Sequence, residues 1–155
     1  MPVSRQRVRD FYDARMSRDP EVIAQFLHDD VDWTIAGPVD LIPFCGQHRG
    51  KKAAVDTMVR VAPSVFKVTK LNLDELLIDG DRAAGFNRLS AIQSGTGRTI
   101  TYQRAEFFLF RDNKIKSYRA VLDSFDLSEQ MLGQAIDRSL DAPADFAASG
   151  DRIAI

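Results

Sequence analysis

Cysteine is nearly absent from this chain: Cys45 stands alone among 155 residues. An intramolecular disulfide is therefore excluded, and a reducing cytoplasm is the default expectation. Histidine is scarce as well, limited to His28 and His48, which argues against a structural zinc site. No apolar run approaches the roughly eighteen residues that a spanning helix requires. Neither sign of charge prevails, since 21 Lys and Arg face 22 Asp and Glu, for a net charge of −1. That balance excludes a general electrostatic affinity for nucleic acid or anionic membranes. Met1-Pro2-Val3-Ser4-Arg5 leads into charged residues rather than an apolar signal core. There is no internal repeat and no low-complexity tract.

What remains is an ordinary globular balance, 45% hydrophobic and 28% charged. A chain of this length buries about two-thirds of its unfolded surface and needs no staple. Residues 1–140 read as one domain. The Ala-, Asp- and Gly-rich segment from Asp141 to Ile155 reads as a flexible tail. Ser4 suits an N-cap, and Val8, Phe11, Tyr12 and Arg15-Met16 follow at helical spacing. Pro20 opens a second helix whose apolar stripe is Val22, Ile23, Phe26 and Leu27, ended by His28-Asp29-Asp30. Val31, Trp33 and Ile35 alternate with Asp32 and Thr34 as one strand. The segment from Val39 to Gly50 reads as a loop. Its apolar cluster Leu41-Ile42-Pro43-Phe44 is unusual for solvated chain, so the loop is expected to fold over something. Lys51 to Val61 reads as a third helix, stopped by Pro63. From Val65 to Phe125 the pattern is a meander of long antiparallel strands. Its turns fall at Asp79-Gly80-Asp81, Ser94-Gly95-Thr96-Gly97 and Arg111-Asp112-Asn113-Lys114. Asp126 or Ser128 can cap a closing helix through Ile136, and Asp123 at the strand end can take the same role. Helices first and a meander afterwards imply an α+β fold, with the curved sheet wrapped around the helices and a ligand site on its concave face.

The run Phe26-Leu27-His28-Asp29-Asp30-Val31-Asp32-Trp33, the Gly46-Gln47-His48-Arg49-Gly50 loop and the closing Ile115-Lys116-Ser117-Tyr118-Arg119 into Phe125-Asp126-Leu127 resemble nuclear-transport-factor-2-like proteins. The resemblance covers roughly residues 5–137. It is closest to the SnoaL-like and limonene epoxide hydrolase-like branch, with ketosteroid isomerase as a cousin. It implies a cone-shaped α+β fold, a cofactor-free pocket and homodimerisation. Function varies widely across such a fold. The epoxide-hydrolase set is not retained: Trp33 falls on its Tyr, Ile35 on its Asn, Asn87 on its Arg, and Leu89 and Ala120 on its two Asp. Of the ketosteroid-isomerase set, Phe11 falls on the helix Tyr and Gly37 on the base. Glu106 falls on the protonated Asp and keeps a carboxyl.

Strand parity places Tyr102, Arg104 and Glu106 on one face and Gln103, Ala105 and Phe107 on the other. The resemblance puts the first set inside the cone, where the two charges must pair. The opposite parity puts them on the surface or at a dimer interface. An inward Glu106 is a candidate general acid or base oriented by Arg104, with His48 at the pocket mouth as a second proton carrier. Trp33, Ile35, Phe44, Asn87, Tyr102 and Tyr118 are the candidate ligand-binding residues. Cys45 with His48 is the weaker nucleophilic alternative. Two functions stay open. One is a cofactor-independent isomerase, cyclase or hydrolase acting on a small apolar carbonyl or polyketide-like compound. The other is a non-catalytic small-ligand-binding or scaffold domain.

Overall fold

The first helix begins where the Ser4 side chain accepts a hydrogen bond from the Arg7 N–H, capping α1 (Arg5–Ser17). Val8, Phe11, Tyr12 and Ala14 form its buried face. In the computed structural model, which describes residues 2–136, Arg18 ends this helix in the left-handed region at φ 57°. The expected tail from Asp141 lies outside the described residues. Asp19 caps α2 (Pro20–Ala24) through the Glu21 and Val22 N–H groups. That helix is shorter than its apolar stripe suggests. Leu27 instead opens β1 (Leu27–Ala36), so His28-Asp29-Asp30 lie in a strand rather than at a helix end. Pairing explains the switch: Leu27 sits opposite Ile115, whose N–H donates to the Phe26 carbonyl at 2.7 Å.

The supposed loop from Val39 to Gly50 contains a further strand, β2 (Gly46–Arg49), antiparallel to β1. Its apolar stretch does fold inward, with Ile42 and Phe44 buried. The expected single helix from Lys51 is broken into α3 (Lys51–Asp56), a π-helical turn (Thr57–Val61) and α4 (Ala62–Val65). Pro63 does not stop the helix. It sits in the first turn of α4, directly after the π-helical turn. The meander is present as β3 (Phe66–Asp79), β4 (Arg82–Gln93), β5 (Thr99–Arg111) and β6 (Lys114–Leu122). Asp112 and Asn113 both take positive φ between β5 and β6, as a two-residue hairpin turn requires. Asp123 caps α5 (Ser124–Leu132) through the Asp126 N–H, so Asp126 and Ser128 lie within the helix. Gly133, at φ 72°, ends it short of Ile136.

The six strands order as β2-β1-β6-β5-β4-β3. Every neighbouring pair is antiparallel except β1 with β6. The result is the expected α+β architecture, with an open, curved sheet that is mixed rather than wholly antiparallel. Phe11 fills the space between α1 and the sheet, with its ring about 6 Å from those of Phe26, Trp33 and Phe108 (5.8, 6.1 and 6.0 Å). Phe11→Ala would leave a cavity that these rings cannot close. A loss of about 3–5 kcal/mol is expected in urea unfolding, and a loss below about 1 kcal/mol would show that the interior collapses to compensate.

Candidate functional site

Along β5, Ile100, Tyr102, Arg104, Glu106, Phe108 and Phe110 point inward, while Thr101, Gln103 and Phe107 are exposed. The parity left open by sequence is therefore resolved in favour of the interior: Glu106 is fully buried and Arg104 is 5% exposed. An isolated carboxylate there would be prohibitively costly. Glu106 is not isolated. Its Oε2 accepts from the Tyr12 hydroxyl at 2.7 Å and from Asn87 Nδ2 at 2.5 Å. Its Oε1 accepts from Arg15 Nη1 at 2.8 Å and from the Tyr118 hydroxyl. Those four bonds fill the carboxylate's acceptor capacity. Arg104 Nε adds an ionic contact with Oε1 at 2.9 Å, without the alignment of a hydrogen bond.

Burial would raise the Glu106 carboxyl, but the Arg104 and Arg15 charges and the Tyr118 and Tyr12 hydroxyls outweigh it. They hold the carboxyl below its ordinary value of 4.5. Burial first, and then the Glu106 charge, push the Tyr12 hydroxyl well above its usual range, so it stays a donor. Burial does the same for Tyr118. For Arg104, burial works against the charge and Glu106 more than restores it.

The helix and the sheet each supply part of this cluster. Tyr12 and Arg15 are three residues apart on α1 and so share a face. Tyr118 is held by β6, its ring stacked on Trp33 of β1 at 3.6 Å. Asn87 lies on β4 opposite Arg104, and Gly85 lies opposite Glu106. A Cβ at Gly85 would fall 2.4 Å from the Tyr12 hydroxyl, so only glycine admits the tyrosine to the carboxylate.

Beside the cluster is a cavity of about 80 Å³ that opens to solvent. Trp33, Ile35, Phe66, Leu71, Leu89, Tyr102 and Arg104 line it from the sheet. Arg15, Met16 and Arg18 line it from the end of α1 and its turn, and Thr57, Met58, Ala62 and Pro63 from the broken helix. Phe44 closes one side. Arg104 Nη2 and Trp33 Nε1 are buried donors without a hydrogen-bond partner.

Of the residues singled out by sequence, Trp33, Ile35, Phe44, Tyr102 and Arg104 line the cavity. Glu106, Asn87 and Tyr118 sit behind that wall as the cluster supporting it. The lone pairs of Glu106 are occupied and its ionised form is favoured. His48 is not brought to the site. It lies on β2, its Nε2 3.1 Å from the Phe44 carbonyl. Cys45 is buried, and burial pushes its thiol up to about 11, which removes the Cys-His nucleophile. Arg15, Tyr12 and Gly85 are the residues that sequence reasoning missed. The tyrosine on the first helix is present, one position beyond Phe11, at Tyr12. The available signal was Arg15, a charged residue in phase with the apolar stripe of α1.

A family model described as the SnoaL-like domain matches residues 8–118. A crystal structure described as a "putative isomerase" from Rhodopseudomonas palustris is 32% identical, with a TM-score of 0.77, over 83% of this chain and 97% of that one. An NTF2-like protein from Burkholderia xenovorans aligns at 23% identity and a TM-score of 0.67, over 80% and 92% of the two chains. A ketosteroid isomerase-like fold from Catenulispora acidiphila, in complex with trimethylamine, aligns at 12% identity and a TM-score of 0.69, over 85% and 95%. No curated protein matches the chain.

Two predictions follow from the geometry of the cluster. Gly85→Ala should displace the Tyr12 hydroxyl and destabilise the fold by about 1–3 kcal/mol. The same change made in Tyr12→Phe should be milder, and full additivity in urea unfolding would mean that Gly85 and Tyr12 are uncoupled. Because the Glu106 carboxyl is lowered on folding, its ionisation stabilises the fold above about pH 4.5, and that stabilisation disappears as pH falls through the depressed native value. Glu106→Gln should therefore be less stable than the parent at pH 7, by about 3–5 kcal/mol. The gap should narrow at pH 3, whereas a pH-independent gap would mean that Glu106 is not ionised in the fold.

Proposed function

We propose that this chain, which belongs to the SnoaL-like domain family, encloses a small and mostly apolar molecule in its cone and holds one oxygen of that molecule on the inner wall. The observation that carries this reading is a cavity with an apolar bed whose inner wall includes one buried cation, Arg104, with donors that lack an acceptor. A buried guanidinium with unsatisfied donors is costly, and a ligand oxygen against it lowers that cost. Ile35, Phe44, Phe66, Leu71 and Leu89 give the rest of the molecule an apolar bed. Glu106 serves as the anchor that fixes Arg104, not as the group that moves a proton. The reading includes the homodimer implied by the family, and the exposed Phe107 and Val121 on the outer sheet face support it.

A second reading is an isomerase acting on a carbonyl compound, favoured by the likeness to the Rhodopseudomonas palustris protein. Arg104 would then stabilise the negative charge that develops on the substrate oxygen. No Asp, Glu or His among the described residues lines the cavity, so the proton would move through water or a group of the substrate itself.

Trp33 is the only tryptophan of the chain and lies on the cavity wall, so its emission reports occupancy. Titration with a panel of small ring ketones and esters should change that emission saturably and raise the melting temperature in step. Leu71→Phe, which narrows the cavity, should weaken both responses. No response across the panel would contradict an enclosed ligand.

A further inference from the structure

The charge around the cavity does not balance. Arg15 and Arg104 share one carboxylate, Glu106, and the other members of the cluster are Asn87 and two tyrosines. Both tyrosine hydroxyls remain protonated, because burial and the neighbouring carboxylate oppose their ionisation. One positive charge is left over at the cavity, where Arg15 is partly and Arg104 almost wholly buried. Arg18 and Lys67 also line it but are exposed to solvent, and no Asp or Glu lines the cavity among the described residues. Arg18 is fixed in place by donating from Nη2 to the Val68 carbonyl at 2.7 Å.

The surplus has a direction. Arg104 is 5% exposed, its only ionic partner is on its Nε side, and its Nη2 has no hydrogen-bond partner. A neutral ketone oxygen against the guanidinium would leave its charge uncompensated in a low-dielectric interior, and an anionic oxygen compensates it.

We infer that the ligand of this cavity is a small, mostly apolar organic acid bound as its anion, with the charged oxygen seated against the Arg104 guanidinium. The inference rests on the enclosed-ligand reading above and narrows it to a chemical class.

The test uses the full chain and matched pairs that share a ring system: benzoate against methyl phenyl ketone, and naphthoate against methyl naphthyl ketone. Binding is followed by Trp33 emission and by calorimetry at pH 7. In at least one pair the acid should bind about tenfold or more tightly than its ketone, the difference between a charged and a neutral hydrogen bond. Arg104→Met should abolish that preference, and Arg104→Lys should restore part of it. Circular dichroism confirms that each variant is folded, and the comparison on the unaltered protein stands without them. Equal binding of acid and ketone, or a preference for the ketone, overturns the anion assignment and leaves the enclosed-ligand reading standing. An acid preference that survives in folded Arg104→Met overturns the placement on Arg104. If neither member of any pair binds, both readings fall together.

Discussion

The interior of this protein depends on one buried carboxylate. Glu106 has no access to solvent, and it is tolerated because α1, β4, β5 and β6 each bring a donor or a cation to it. Taking any of these away leaves a buried charge short of a partner, which is why such clusters are destabilising to break even when they add little net stability. The cluster thus ties the first helix to the far side of the sheet with directional contacts, where the apolar core of Phe11, Trp33 and Phe108 supplies only non-directional ones.

The same carboxylate decides what the cavity can do. Because its acceptor sites are filled from behind the wall, it cannot also reach a ligand. Its influence passes through Arg104, which it holds by the Nε edge. The stack of Tyr118 on Trp33 extends this arrangement, since it fixes the indole whose N–H is the second unpartnered donor. The role proposed for the site is therefore to recognise and polarise an oxygen rather than to carry a proton, in contrast to a carboxyl kept neutral to act as an acid.

Much of the fold was legible because long strands with clean alternation announce themselves: the meander from Phe66 to Leu122 and its three turns follow from parity and turn residues alone. The failures are also physical. Gly46 to Arg49 has no apolar alternation, and only its pairing with β1 makes it a strand. Phe26 and Leu27 fit a helical stripe, but pairing with Ile115 claims them for β1. Parity grouped Tyr102, Arg104 and Glu106 correctly but could not choose their side. That choice is made by Arg15 and Tyr12, about ninety residues away along the chain (separations of 91 and 94 from Glu106), and no local pattern encodes so distant a contact. Gly85 was silent for a related reason: a glycine in a strand reveals its purpose only when the atom it makes room for is known.

The account rests on Arg104 being fixed by Glu106 on the cavity wall. The most direct measurement is a high-resolution crystal structure of the protein soaked with a small aromatic carboxylate. The account predicts a ligand oxygen within hydrogen-bond distance of the Arg104 guanidinium, with all four hydrogen bonds to Glu106 intact. It would be contradicted by an Arg104 side chain turned away from the cavity, or by a Glu106 freed from Tyr12 and Arg15 to meet the ligand itself.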